Sequence, residues 1–305
     1  VRDNLLLWVA EYGATPEAQF VYKAWLDVGG EVGAVRESLL LWVERHGTTP
    51  KAGFVYQAWL DGGGEVKAVR RSLLEWVEIN SSLRDADFVF RAWLAAGERL
   101  EPIKSACEAW LAANWSSEDA VYVTKELSKT DDLSYKSVAY IFAWAGTYPA
   151  NEDAIFRIGR VSKLFPLYVN YTKFPQIVAT TAKSVLQNLF KKNAISKFER
   201  NACAMLFSNL SHPSYPHDEN WRTIVSLYCN GLRHGAVFWN ADRMPSVRWE
   251  LLLHEALSLQ LLDPTTDAAA IRHAHDLIRQ VRSQDEYAAL IASGFIDPPP
   301  DAKSE

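Results

Sequence analysis

Apolar residues recur along the first part of the chain with two nested periods. In VRESLLLWVERHG the apolar positions are Val35, Leu39, Leu40, Trp42 and Val43, with polar or charged residues between them. That spacing gathers them on one broad face of a helix. In AGFVYQAWLDGGG the apolar set is Phe54, Val55, Ala58 and Trp59, with Tyr56 beside it. Each stretch predicts a helix of about 11 to 13 residues, too short to be stable alone and therefore expected to stack on its neighbours. Gly47, like Gly13 before it, is expected to end the first helix in the left-handed conformation that glycine tolerates. Thr49 and Pro50 then read as N-cap and first helical residue of the next, as do Thr15 and Pro16. Gly62, Gly63 and Gly64 end that second helix, and a polar connection leads back to Val69.

The longer period is 34 residues, two helices per unit, with units starting at Val1, Val35 and Val69. Each helix carries a tryptophan at the same place, so Trp8, Trp25, Trp42, Trp59, Trp76, Trp93 and Trp110 fall 17 residues apart. The next two marks are Leu127 and Trp144. One tryptophan in every helix is a packing rule: these eight residues, Trp144 included, are expected to hold the seams between helices. Ala24, Ala58 and Ala92, just before the second-helix tryptophans, suit close helix approach. Ser116 or Ser117 and then Asn151 are cap candidates in the fourth and fifth units. A fixed period of this size marks a stacked array. The expected fold is all-α: an αα-solenoid over residues 1–170, followed by divergent helices over 171–305 that continue or cap it. The proline-rich end, from about residue 296, is expected to fray.

Composition narrows the function classes. Net charge is -5 with both signs mixed, which argues against a nucleic-acid surface, although Lys191, Lys192, Lys197 and Arg200 form a local basic group. Three cysteines without a CxxC pair give neither a disulfide framework nor a zinc cluster and fit a reducing cytoplasm. No apolar run approaches the roughly 18 residues of a membrane span. The chain opens at Val1, inside the repeat and without Met, as expected of a piece of a longer protein.

Candidate chemistry is sparse. The glycines of DGGGEV follow a helix, not a strand, and lack the Lys and Ser/Thr of a phosphate loop. His254-Glu255 has Ser258 where a zincin needs its second histidine. His273 and His275 are two apart, do not converge on one ion, and read as a solvated helix face. His212 and His217 lack further ligands; Asn240 to Arg243 reads as a polar turn; Cys203 and Cys229 read as buried thiols. No catalytic residue, metal or cofactor is assigned, and an enzyme site around His212 to Asp242 is the least favoured reading.

What remains is surface. Within repeats, polar positions that vary between copies are free to specify a partner. Tyr12, His46 and Asn80 occupy one such place, Lys23, Gln57 and Arg91 another, and Glu11, Arg45 and Ile79 a third. The first two sets are the candidate partner-binding residues.

The period resembles that of tetratricopeptide repeats, but LLLWVERHG has the family's Trp without its Leu-Gly. Units such as FVYQAWLDGGGEV and VRRSLLEWVE, over residues 1 to about 115, resemble the C-terminal repeats of bacterial STAND-type NTPases, relatives of NOD-like receptors that include anti-phage sensors. That resemblance implies a cytoplasmic sensor binding a foreign protein such as a phage protein, with NTPase, oligomerisation and effector functions in parts outside this chain. A general tetratricopeptide-type scaffold is the alternative.

Overall fold

The computed structural model describes residues 2–168, 170–171, 173–210 and 219–233, and beyond them 268, 271–272, 275–276, 279, 283–293 and 298. The described residues are helical, with no strand among them. The chain divides into two units, residues 1–133 and 134–305. The expected loss of the ruler near residue 170 thus falls inside the second unit.

The first unit contains α1 (Arg2–Tyr12), α2 (Ala18–Asp27), α3 (Val32–His46), α4 (Ala52–Asp61), α5 (Val66–Asn80), α6 (Ala86–Ala95), α7 (Lys104–Asn114) and α8 (Ala120–Leu127). Each helix packs on the next. In addition α2, α4, α6 and α8 pack side by side in one row, and α1, α3 and α5 in another. The helices of a unit are not of similar length: α3 and α5 have 15 residues, α4 and α6 have 10. The first helix is the longer because it begins at Val32 or Val66, inside the stretch expected to be a polar connection.

Both terminal assignments made from sequence change. Gly47 has φ -62°, in the right-handed region, and the left-handed glycines are Gly29, Gly63 and Gly97 at the ends of α2, α4 and α6. Gly64 N–H closes that end by donating to Trp59 O over 2.8 Å, the long backbone bond of a Schellman cap. What requires glycine at 47 is space: a Cβ there would lie 2.5 Å from Tyr56 Oη and 2.3 Å from Val43 O. Thr49 does not cap α4, which starts at Ala52 without a side-chain cap. Its hydroxyl instead donates back to His46 O over 2.9 Å. Thr15 does likewise to Tyr12 O. Ser117 and Asn151 do not cap either: the helices that start at Ala120 and Ala154 have no side-chain cap, and the two side chains accept from Asp119 N–H and Asp153 N–H in the turns before them.

The tryptophans are buried from Trp25 through Trp110, and Trp8, on the first helix, is half-buried. They do two different jobs. On second helices the indole N–H stays within its own repeat and ties down the following loop: Trp25 donates to Glu31 O, Trp59 to Glu65 O and Trp93 to Arg99 O. Gly30 and Gly64 allow this, since a Cβ at either would sit within 2.5 Å of the ring. On first helices the N–H reaches back to the preceding repeat: Trp42 to Thr15 O, Trp76 to Thr49 O (both 2.8 Å) and Trp110 to Arg84 O (2.9 Å). So one tryptophan closes a repeat and the other joins it to the last. Tyr22 and Tyr56, fully buried, add hydroxyl bonds to Gly13 O and Gly47 O. Ala58 and Ala92 are buried as expected, while Ala24, on the outermost second helix, is exposed.

The second unit holds α9 (Tyr135–Thr147), α10 (Ala154–Val161), α11 (Phe165–Tyr168), α12 (Phe174–Leu189), α13 (Lys197–Leu210), α14 (Glu219–Arg233) and α15 (Gln284–Ala292). Here α9 packs on α10 and α12, α10 on α13, and α12 on α14. Trp144 is fully buried, and its N–H has no acceptor among the described residues. Phe142, Phe165 and Phe174 pack as edge-on and stacked rings, and Tyr135 stacks on Tyr171 with centroids 4.1 Å apart. His212, His217, Asn240 to Arg243, His254, Glu255, Ser258 and His273 lie outside the described residues, as does nearly all of the proline-rich end. His275 is described, and it is not on a solvated face: it is buried, with Nδ1 3.1 Å from Tyr287 Oη.

Candidate recognition surface

The second-helix row positions the surface. In α4 the residues Val55, Tyr56, Trp59 and Leu60 are buried, a face at i, i+1, i+4 and i+5. At about 100° per residue, Phe54 lies roughly 100–160° around the helix from each of these four, so it emerges at the opposite edge with Gln57 and Asp61. The sequence reading had put Phe54 in the core and left Tyr56 beside it; the positions are the reverse. Tyr56 is buried because its hydroxyl finds the Gly47 carbonyl at 3.0 Å.

The same register repeats in each second helix. Phe20, Phe54 and Tyr122 are 61%, 38% and 43% exposed, and Phe88 is half-buried. Four successive repeats therefore present an aromatic ring to solvent at one equivalent place. Cations cover three of these rings. Lys51 Nζ lies 5.7 Å from the Phe20 centroid, and the Arg91 guanidinium lies 5.4 Å from Phe88 and 4.0 Å from Tyr122. Sequence analysis missed the rings by grouping all aromatics with the core. The signal was available: in every second helix an aromatic at 20, 54, 88 or 122 stands five residues before the 25, 59, 93 and 127 marks, on a different face of a helix from them.

Of the candidate partner-binding residues, Lys23, Gln57 and Arg91 all stand beside this aromatic edge, half-buried or exposed. Lys23 is paired with Asp27 on its own helix. Gln57 lines a cavity of about 260 Å³ between α4 and α6, formed with Phe54, Trp76, Leu83 and Phe88 and rimmed by Lys51, Arg84 and Asp85. Arg84 is bound to Asp119 at 3.0 Å, and that guanidinium holds the Asp119 carboxyl below its usual range.

Tyr12, His46 and Asn80 lie elsewhere, at the ends of α1, α3 and α5, and they do not form one exposed set. Tyr12 is exposed and packs on Trp8 with ring centroids 5.4 Å apart. His46 Nε2 is 3.1 Å from Ala14 O, and the Asn80 amide donates to Thr48 O over 3.1 Å and to Trp76 O. Asn114 repeats the pattern with Ser82 O. Each of these three bonds reaches 32 residues back, to the turn of the preceding repeat. The residue type varies but the task is fixed, and Asn80 is buried in performing it.

A wider groove of about 610 Å³ runs between α5 and α7, where Ser105, Ala106 and Ala109 face Leu74 and Glu78. Its lining has no aromatic residue, and its one guanidinium, Arg71, is paired with Glu75. No group of acidic, histidine or cysteine side chains among the described residues is arranged to hold a metal ion. Cys107, Cys203 and Cys229 are buried, and burial pushes the Cys203 thiol up to about 12. Asp87, 2% exposed with Oδ2 unbonded, has its carboxyl pushed up to about 6 by burial and by Asp119, against the opposing pull of Arg91. No described helix is long and apolar enough to cross a membrane. The chain matches no family model, no curated protein and no solved structure.

Proposed function

We propose that the chain is a protein-recognition αα-solenoid of 34-residue, tetratricopeptide-like repeats, and that it serves as the cytoplasmic target-sensing part of a larger bacterial STAND-type defence NTPase. The observation that carries the recognition reading is the aromatic edge of Phe20, Phe54, Phe88 and Tyr122. In an ordinary stack the residues kept from copy to copy are buried. These are kept and remain partly in water, where they contribute little to the stack. Exposed aromatic residues and arginine are the side chains enriched in the cores of protein interfaces, and tyrosine and arginine are among those that carry most of the binding energy. The exposed part of each ring is surface that a partner could cover.

The defence assignment draws on the repeat units that resemble STAND sensors. In this reading the ligand is a foreign protein, the chain itself is not an enzyme, and nucleotide hydrolysis and oligomerisation belong to an upstream portion. A general scaffold of the same architecture is the competing role. Capture from phage-infected and uninfected cells separates them. With the full chain as bait, a partner retained only after infection, and lost when Phe20, Phe54 and Tyr122 are replaced together by alanine, supports the sensor. Housekeeping partners alone support the scaffold. Capture indifferent to the triple replacement rules out the aromatic edge.

A further inference from the structure

We infer that the cavity between α4 and α6 is the anchor point of this surface, and that it takes one bulky apolar side chain from an extended segment of a partner protein, with carboxylates flanking that side chain. The inference rests on the protein-recognition reading and adds the chemistry of the ligand.

Size argues for a side chain. About 260 Å³ falls below the roughly 300–1,000 Å³ of pockets that enclose small molecules. The floor is apolar, with Trp76 and Leu83 between the rings of Phe54 and Phe88. The cavity exists because of a local departure from the repeat. Position 53 is glycine here, against Gln19 one unit earlier and Asp87 one unit later. A Cβ at Gly53 would come within 2.6 Å of the Trp76 ring, so the bare backbone lies directly on the indole and leaves the space above it open.

Charge argues for carboxylates. The cations of this edge fall into two groups. Lys23 and Arg84 are neutralised by Asp27 and Asp119. Lys51 and Arg91 rest on aromatic rings and have no carboxylate within ion-pair distance among the described residues. Asp87 and Asp119 sense the Arg91 charge without reaching that distance. A guanidinium or ammonium over a ring face keeps its charge and its remaining hydrogen-bond donors available. Lys51 is on the cavity rim, and Arg91 lies one helical turn beyond Phe88. Asp85, the carboxylate on the α6 side of the rim, directs the partner's acids towards Lys51 and Arg91.

Backbone NMR titration of the full chain tests this with synthetic probes: acetyl-Asp-Trp-Glu-amide, the same peptide with lysine at both acids, and the same peptide with alanine for tryptophan. The expected result is a saturable shift change confined to residues 50–57 and 83–91 for the first probe only. It should weaken roughly tenfold in a Lys51→Glu/Arg91→Glu double variant, whose changes are on the surface and leave the spectrum folded. Equal binding of the lysine peptide, shifts at other residues, or no saturable binding overturns the anchor. The infected-cell capture then tells the two readings apart. A partner still captured by the wild type and by the double variant leaves recognition standing without this anchor, whereas loss of capture in the double variant supports it.

Discussion

The pair Gly47 and Tyr56 makes a quantitative demand on the repeat. Tyr56 is fully buried, and its hydroxyl donates to Gly47 O over 3.0 Å. A side chain at 47 would meet that hydroxyl at 2.5 Å. One unit later the chain carries Ser81 and Phe90 at the same two places: where the Cβ appears, the hydroxyl has gone. Tyr56→Phe should therefore cost about 1–2 kcal/mol, the net value of a buried hydrogen bond plus a carbonyl left without its partner. Gly47→Ser alone should cost about 1–3 kcal/mol from overpacking against the ring hydroxyl and Val43 O. The double variant should be less destabilised than the sum by about 1 kcal/mol, because the clash at 47 requires the Tyr56 hydroxyl, which the double variant lacks. Urea unfolding of all four proteins closes the cycle. The reverse exchange, Phe90→Tyr with and without Ser81→Gly, checks it in the next repeat, where the tyrosine should be tolerated only beside glycine. Additivity within experimental error at both places would refute the coupling and leave the matched residue pairs without a physical account.

Asp87→Asn should stabilise the protein at neutral pH. The carboxyl titrates near 6 instead of the usual 3.8, so the folded state favours its protonated form; this contribution is complete below about pH 4 and is lost as pH rises through about 6, on the order of 3 kcal/mol. Thermal unfolding of wild type should weaken across that window, and the variant should not share that component. Trp76→Phe, which deletes the bond to Thr49 O, should loosen the junction between repeats, whereas Trp59→Phe should expose the loop at Glu65 within one repeat; amide exchange at residues 47–52 and at 62–66 distinguishes the two. Asn80→Ala should cost about 1 kcal/mol by removing the amide bond to Thr48 O, while Trp76 O keeps its helical partner, and should leave partner capture unchanged at equal folded concentration.

The all-helical class and the buried tryptophans were legible in the sequence because apolar positions recur at helical spacing, and such spacing is what a core imposes. The glycine assignments were not. Gly47 and Gly63 both follow a helix, and sequence cannot tell a glycine chosen for its backbone angle from one chosen for lack of bulk. That distinction needs the position of Tyr56 Oη, which comes from the next helix. The same limit misled the reading of Thr49, whose hydroxyl can serve either neighbouring helix and serves the earlier one. At the surface, Tyr12, His46 and Asn80 differ in chemistry and so looked free, yet His46 and Asn80 meet carbonyls of the previous turn that many polar groups can satisfy. The exposed rings erred in the other direction, since their constancy and apolarity read as core.

Both kinds of position follow from where the bonds between repeats are made. The links between repeats run through indole N–H groups and the 46, 80 and 114 side chains, nearly all to backbone carbonyls. A carbonyl is present whatever residue supplies it. Trp110 illustrates the tolerance: it takes Arg84 O, one residue out of register with the acceptors of Trp42 and Trp76, and the stack continues. Side chains on the aromatic edge are thus excused from these hydrogen bonds. Lys23, whose ion pair stays on its own helix, can be exchanged, and Phe88 can become Tyr122 in the next unit, without breaking one of them; Arg91 adds a ring contact to the next repeat, on Tyr122. The bonds between repeats thus rest on the main chain and the tryptophans, and under the proposed recognition role the edge positions could vary without breaking them.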